Sequence, residues 1–213
     1  TSQVNPTTRP WMPPFDLSEY VLPEERRIAA GPRARFGDMP RWDLSAGGLA
    51  PNLNAAQAHL RFDDLPASWV SMAKTLAMAM LNPTHPIVRS AGVFRSNQPY
   101  KMKSINHALS ELRYLARWAT EADHATDLSQ WSDEVLNNYL ENVQATRAVS
   151  ASRSATDLLR HLVGFGALME GGGLRLQIGS SEGTGTAGAI KTPVIPPDTF
   201  WPLVRACWAY VDV

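Results

Sequence analysis

The sequence predicts a mainly α-helical protein, a compact helical bundle preceded by an irregular amino-terminal arm. Three observations carry this expectation. Between Pro66 and Met169 four segments place apolar residues at steps of three and four, the period of a helix that buries one face. The one alternating run, His59 to Leu65, is too brief to build a sheet on. The 16 prolines and 14 glycines gather at the amino end and after Glu170, leaving the middle free for regular structure.

Taken in order, residues 1–65 are rich in Pro, Arg and Gly (Trp11-Met-Pro-Pro, Ala30-Gly-Pro-Arg, Gly47-Gly) and show no sustained period. They are expected to form an arm wrapped around the body and anchored by its tryptophans. The first helix is expected from Pro66 to Leu81, because proline suits a first turn and Trp69, Met72, Leu76 and Met80 make one stripe; Pro83 ends it. Met72, Met78 and Met80 read as core filler rather than as an adaptable groove. A polar connection with Pro86 and Pro99 follows. Ser104 is expected to cap a second helix that turns Ile105, Leu109, Leu112 and Leu115 inward. Ser132, followed by Asp133 and Glu134, starts a third helix with Val135, Leu136, Tyr139, Leu140 and Val143. The fourth begins among Ser150, Ser152 and Ser154, carries Leu158, Leu162, Phe165 and Met169, and ends at Gly171-Gly-Gly. Gly164 and Gly166 inside it imply close packing against a neighbouring helix. Residues 174–191 read as a flexible Gly-Ser-Thr linker. Residues 192–213 form an apolar helix with little chain left to cover it, so the sequence looks truncated there.

Composition narrows the function. A hydrophobic content of 44% is enough for a core. The single cysteine, Cys207, excludes an intrachain disulfide and fits a reducing, cytoplasmic setting. No apolar run approaches the ~20 residues that span a bilayer, so no membrane role is expected. Twenty basic residues balance twenty acidic ones, yet from Pro86 to Ala119 six bases, Arg89, Arg95, Lys101, Lys103, Arg113 and Arg117, face one acid, Glu111. On the second helix Asn106, Ser110, Arg113 and Arg117 fall at steps of four, three and four, a polar stripe opposite the apolar one. The five histidines lack the paired spacing of metal ligands, and the glycine-rich stretches lack the lysine and preceding strand of a phosphate loop, so neither metal nor cofactor is expected.

Three stretches resemble the core-binding domain of tyrosine recombinases, the phage-type integrases. They are Ser104-Ile-Asn-His-Ala-Leu-Ser-Glu-Leu-Arg-Tyr-Leu-Ala-Arg-Trp-Ala, Leu128-Ser-Gln-Trp-Ser-Asp-Glu-Val-Leu-Asn-Asn-Tyr-Leu and Ser150-Ala-Ser-Arg-Ser-Ala-Thr-Asp-Leu-Leu-Arg-His-Leu-Val-Gly-Phe. Arg35-Phe-Gly-Asp-Met-Pro-Arg-Trp-Asp-Leu, Phe62-Asp-Asp-Leu-Pro and Thr192-Pro-Val-Ile-Pro-Pro are similar to segments of large bacterial mobile-element integrases. The resemblance implies a SAM-like core-binding domain over residues 66–173, one jaw of a clamp on double-stranded DNA, and the truncated start of a catalytic domain from residue 192. It further implies a bacterial, nucleoid-associated parent that assembles as a tetramer on DNA, with this piece monomeric or weakly associating. The family's tyrosine nucleophile and its charge-stabilising partners lie later in such proteins. No tyrosine here stands in that motif, so the chain is expected to bind DNA without doing chemistry.

Candidate DNA-binding residues are Arg95, Lys101, Lys103, Asn106, His107, Ser110, Arg113 and Arg117, with Ser152, Arg153, Ser154 and Arg160 on the fourth helix. Lys101 and Lys103 lie at a helix start, where backbone amides and the helix dipole also favour phosphate. The helix starts near Lys103 and Arg153 are expected to present their positive ends to a common surface. Against this stand a plain solvated face, with Arg117 or Arg160 paired to Glu121 or Asp157, and a protein-interaction module, for which neutral total charge and tryptophans argue. Basic residues gathered on one face favour DNA; scattered bases and an apolar groove favour a protein partner.

Overall fold

The computed structural model describes residues 11–47, 58–92 and 97–174, and over these it is mainly helical. All of them belong to one unit that closes at Gln177. The expected catalytic-domain start at residues 192–213 lies outside the described residues, as does the linker beyond Leu174.

Five α-helices are present among the described residues: α1 (Ala67–Leu81), α2 (Pro86–Ser90), α3 (Met102–Glu121), α4 (Asp133–Thr146) and α5 (Val149–Gly164). Helix α1 is the axle. Eleven of its fifteen residues are buried, Lys74 and Thr75 among them, because a segment that is apolar on nearly every side has no face to give to water. Pro66 stands just before its first turn, and Met72, Met78 and Met80 are core. Helix α2 was not expected. At five residues it is too short to show a period, and it starts because Pro86 occupies its first turn and His85 Nδ1 accepts a bond from the Ile87 amide, at 3.2 Å.

Helix α3 runs antiparallel to α1, since the Tyr100 amide donates to the Met80 carbonyl at one end while Trp131 bridges Trp69 and Trp118 at the other. Helices α4 and α5 then return along α3 one after the other. Trp118 meets Tyr139, Tyr114 meets Asn142 and Thr146, Glu111 meets Arg147, His107 meets Ser154, and Tyr100 meets His161. Helix α4 starts as expected: the Ser132 hydroxyl accepts from the Val135 amide, and Asp133 and Glu134 fill the first turn.

Two expected boundaries are corrected. Helix α3 opens at Met102, so Lys101 takes the capping position without a side-chain cap bond and Ser104 lies inside the first turn. Helix α5 opens at Val149, slightly ahead of the serines, and ends at Gly164 rather than Gly171. Short 3-10 turns follow over Gly166–Leu168 and Glu170–Gly172. Gly166 serves a fold-back of the chain on itself rather than contact with another helix: a Cβ there would come 2.7 Å from the Gly172 oxygen. Gly173, at φ 70° and ψ −163°, occupies a region open only to glycine.

The expected irregular arm is packed into the body more deeply than a wrapping. Phe15, Val21, Leu22, Phe36, Trp42, Leu44, Leu60 and Phe62 join the same core as α1, so the described part of residues 1–65 is an integral layer of the body. Trp42 does anchor it, fully buried between Phe36 and Phe62. Strand β1 (Arg41–Asp43) pairs antiparallel with β2 (His59–Arg61), Trp42 opposite Leu60, which realises the short strand expected near His59. The layer is stapled to the middle and the end of α1. Asn82 donates to the Val21 carbonyl at 2.9 Å, Lys74 to that of Gly37 at 3.1 Å, and Arg26 to Leu81, one of the carbonyls a helix end leaves unpaired.

Candidate nucleic-acid interface

The local charge excess of the sequence resolves into a surface once the single acid is located. Glu111 is buried, its side chain 5% exposed, and both its oxygens accept from the Arg147 guanidinium, at 2.6 and 2.8 Å. Those hydrogen bonds hold Arg147 above its ordinary pKa. Arg147 lies between α4 and α5, stacks over the Tyr114 ring at 4.5 Å, and thereby fixes the bend where one helix hands over to the next. With Glu111 turned inward, Lys103, Ser110 and Arg117, seven residues apart, form an exposed face of α3 with no acid of the helix on it before Glu121, and Lys101 is exposed just ahead of the helix. Arg89 in α2 is exposed as well.

Not every candidate is free to join that face. Arg113 is committed to structure: its Nη2 donates to the Arg61 carbonyl at 2.7 Å and its Nε lies 3.2 Å from Asp64, tying α3 to the strand layer. Asn106, half-buried, lies on the same side of the helix. Arg160 pairs with Asp157 at 2.9 Å, the solvated i,i+3 pair weighed from the sequence, and no ion pair joins Arg117 to Glu121. Arg95 lies outside the described residues. Ser152 is half-buried at the end of the first turn of α5, and Arg153, which opens the second, is exposed.

The expectation that two helix starts converge is corrected. Because α5 runs antiparallel to α3, its start lies beside Glu111, roughly 14 Å along α3 from Met102 at 1.5 Å per residue, and the two positive ends point opposite ways. What adjoins instead is the flanks of the helices. A groove of about 280 Å3 separates them, lined by Ser104 and His107 from α3 and by Ser154, Asp157, Arg160 and His161 from α5. His107 Nε2 and Ser154 Oγ meet across it at 3.1 Å. Lys103 on α3 and Arg153 on α5 lie on the outer rims, one residue from Ser104 and from Ser154.

Asp157 and His161 were not singled out from the sequence as site residues. Their signal was present in the steps of three and four that align Ser154, Asp157 and His161 on one stripe, but the partner stripe on α3 is supplied only by the helix pairing. Among the described residues no cluster of three metal-ligating side chains occurs, and no helix is long and apolar enough to cross a membrane. Comparison with protein-family models, curated proteins and solved structures returns no match.

Proposed function

We propose that this chain is the DNA-clamping, core-binding portion of a tyrosine-recombinase-type integrase, gripping the duplex backbone with the exposed face of α3 and the adjoining rim of α5. The observation that carries the reading is the face of α3 from Lys103 to Arg117, with Lys101 exposed at the helix start, left positive because Glu111 is neutralised inside the fold. A lysine at the capping position and another in the first turn oppose the helix dipole, at a cost of about 0.3–1 kcal/mol each. A phosphate seated there reverses that sign. Order and spacing of the three recombinase-like segments add support, since they coincide with α3, the entry to α4, and α5. On this reading strand transfer is performed by the remainder of a cytoplasmic, nucleoid-associated parent that assembles as a tetramer on DNA, and this portion contributes grip rather than chemistry.

A mobility-shift titration with a duplex of arbitrary sequence, run at several salt concentrations, tests the reading. Log affinity falls linearly with log salt at ~0.9 per neutralised phosphate, so Lys101→Ala/Lys103→Ala lowers the slope by about 1.8 and weakens binding to all sequences alike. An unchanged slope refutes the assignment. A protein-partner reading is favoured by one feature, the shallow depression of about 530 Å3 near Met12, Phe15 and Leu17. There Met12 is 80% and Leu17 63% exposed. That reading predicts salt-insensitive capture of a protein and no duplex shift.

A further inference from the structure

The groove between α3 and α5 carries a second, more specific property, which follows from its charge count. Its fixed charges are one carboxylate, Asp157, and one guanidinium, Arg160, 2.9 Å apart, and they cancel. The remaining polar lining is two hydroxyls, Ser104 and Ser154, and two imidazoles, His107 and His161. With both rings neutral the groove has no net charge; with both protonated it carries two positive charges and each ring nitrogen is a donor. The rings are held by different elements. His107 is exposed on α3 and bonded to Ser154, whereas His161 is half-buried, its ring packed edge-on against Tyr100 at 5.4 Å. The other cations beside it are Lys103 on the α3 rim, with Lys101 just before that helix, and Arg153 on the α5 rim, and no second carboxylate lines the groove.

We infer that this groove is a proton-coupled seat for a phosphate group. The anion is held by Arg160, by the two hydroxyls and by imidazolium rings that take up protons as it arrives. The side chains are all donors or rotatable hydroxyls except Asp157, whose exposed pairing with Arg160 costs little to rearrange. The groove has room for a phosphate together with part of what bears it. The phosphate comes either from the backbone of bound DNA, in which case the inference rests on the function proposed above, or from a free phosphorylated small molecule. Proton uptake on binding makes log affinity rise as pH falls, with a slope approaching one per pH unit for each imidazole that titrates.

The test uses the full chain and sulfate, a tetrahedral dianion whose own charge stays constant from about pH 7.5 to about pH 5.5, a window that brackets the imidazole range. Imidazole NMR signals are followed through sulfate titrations, with His107→Gln as the variant and Gln144→Ala, at an exposed position of α4 outside the groove, as the control. The expected result is that the His107 and His161 signals shift saturably, and that sulfate affinity rises about tenfold or more across the window. His107→Gln removes about one unit of slope and Gln144→Ala none. Imidazole signals unmoved by sulfate, or a slope unchanged by His107→Gln, overturn the seat. A parallel duplex titration separates the sources. DNA binding that gains affinity at low pH through His107 assigns the seat to the DNA backbone. Sulfate binding with the expected slope but no duplex binding assigns it to a small phosphorylated ligand and sinks the DNA reading alone. Duplex binding without any imidazole response sinks the seat alone.

Discussion

Replacing Arg147 by methionine removes the guanidinium at the α4–α5 bend while keeping an unbranched stem of similar reach. Glu111 then loses both of its hydrogen bonds, and a carboxylate whose side chain is 5% exposed is left without a partner. Breaking a buried pair in this way costs about 3–5 kcal/mol, a large part of the roughly 5–15 kcal/mol that holds a domain folded. In urea, with a denaturant slope near ~2 kcal/mol per molar, the unfolding midpoint should fall by about 1.5–2.5 M. Adding Glu111→Gln in the same chain removes the stranded charge, so the double variant should recover at least about half of the loss. The pair thus forms a double-mutant cycle with a coupling of about 2 kcal/mol or more. A single-variant midpoint within about 0.5 M of the parent, or a double variant no better than the single, refutes the claim that Arg147 exists to neutralise Glu111.

Arg113→Ala should leave the salt slope of duplex binding unchanged, because the side chain serves Asp64 and the Arg61 carbonyl, while lowering stability by about 1–2 kcal/mol in denaturant titration. A flattened slope would return Arg113 to the interface. Gly173→Ala should destabilise by more than about 2 kcal/mol, since the new Cβ would lie 2.5 Å from the Gly166 Cα at a backbone angle other residues avoid. A thermal midpoint equal to the parent's contradicts this. Tyr139 is fully buried with no hydrogen-bond partner for its hydroxyl, and burial pushes its phenol well above the ordinary value. The folded state therefore keeps that proton after the unfolded chain has lost it. Stability is unaffected below about pH 10 and falls above it by up to ~1.4 kcal/mol per pH unit. Tyr139→Phe removes that share of the alkaline loss, at little cost near neutral pH. An identical alkaline slope in the two proteins disproves it.

What could be read from the chain depended on whether the signal was local. Ser132 with Asp133 and Glu134 announces α4, and the stripe from Trp69 to Met80 announces α1, because caps and helical periods live within a few residues. The layer built from Phe15, Phe36 and Trp42 gave no such sign. Its side chains enter the core one at a time from aperiodic backbone, and they meet residues distant in sequence, Phe15 against Phe36 and Trp42 against Phe62. The interface divides in the same way. Exposure of Lys103 and Arg117 follows from helical phase, whereas the withdrawal of Glu111 and Arg113 from that face depends on Arg147 and Asp64, each more than thirty residues away. The direction of α5 relative to α3, which overturned the converging helix starts, is a matter of tertiary register that no single helix records.

The enclosure of α1 has one more implication. Along most of its length α1 is enclosed, and its three methionines, supple as they are, are buried in the core. Substitutions along it should change how stiffly the molecule carries α3 and α5, and so reach any bound partner as a loss of rigidity rather than of contact. On the function proposed above, contact with a partner falls to the exposed faces of α3 and α5.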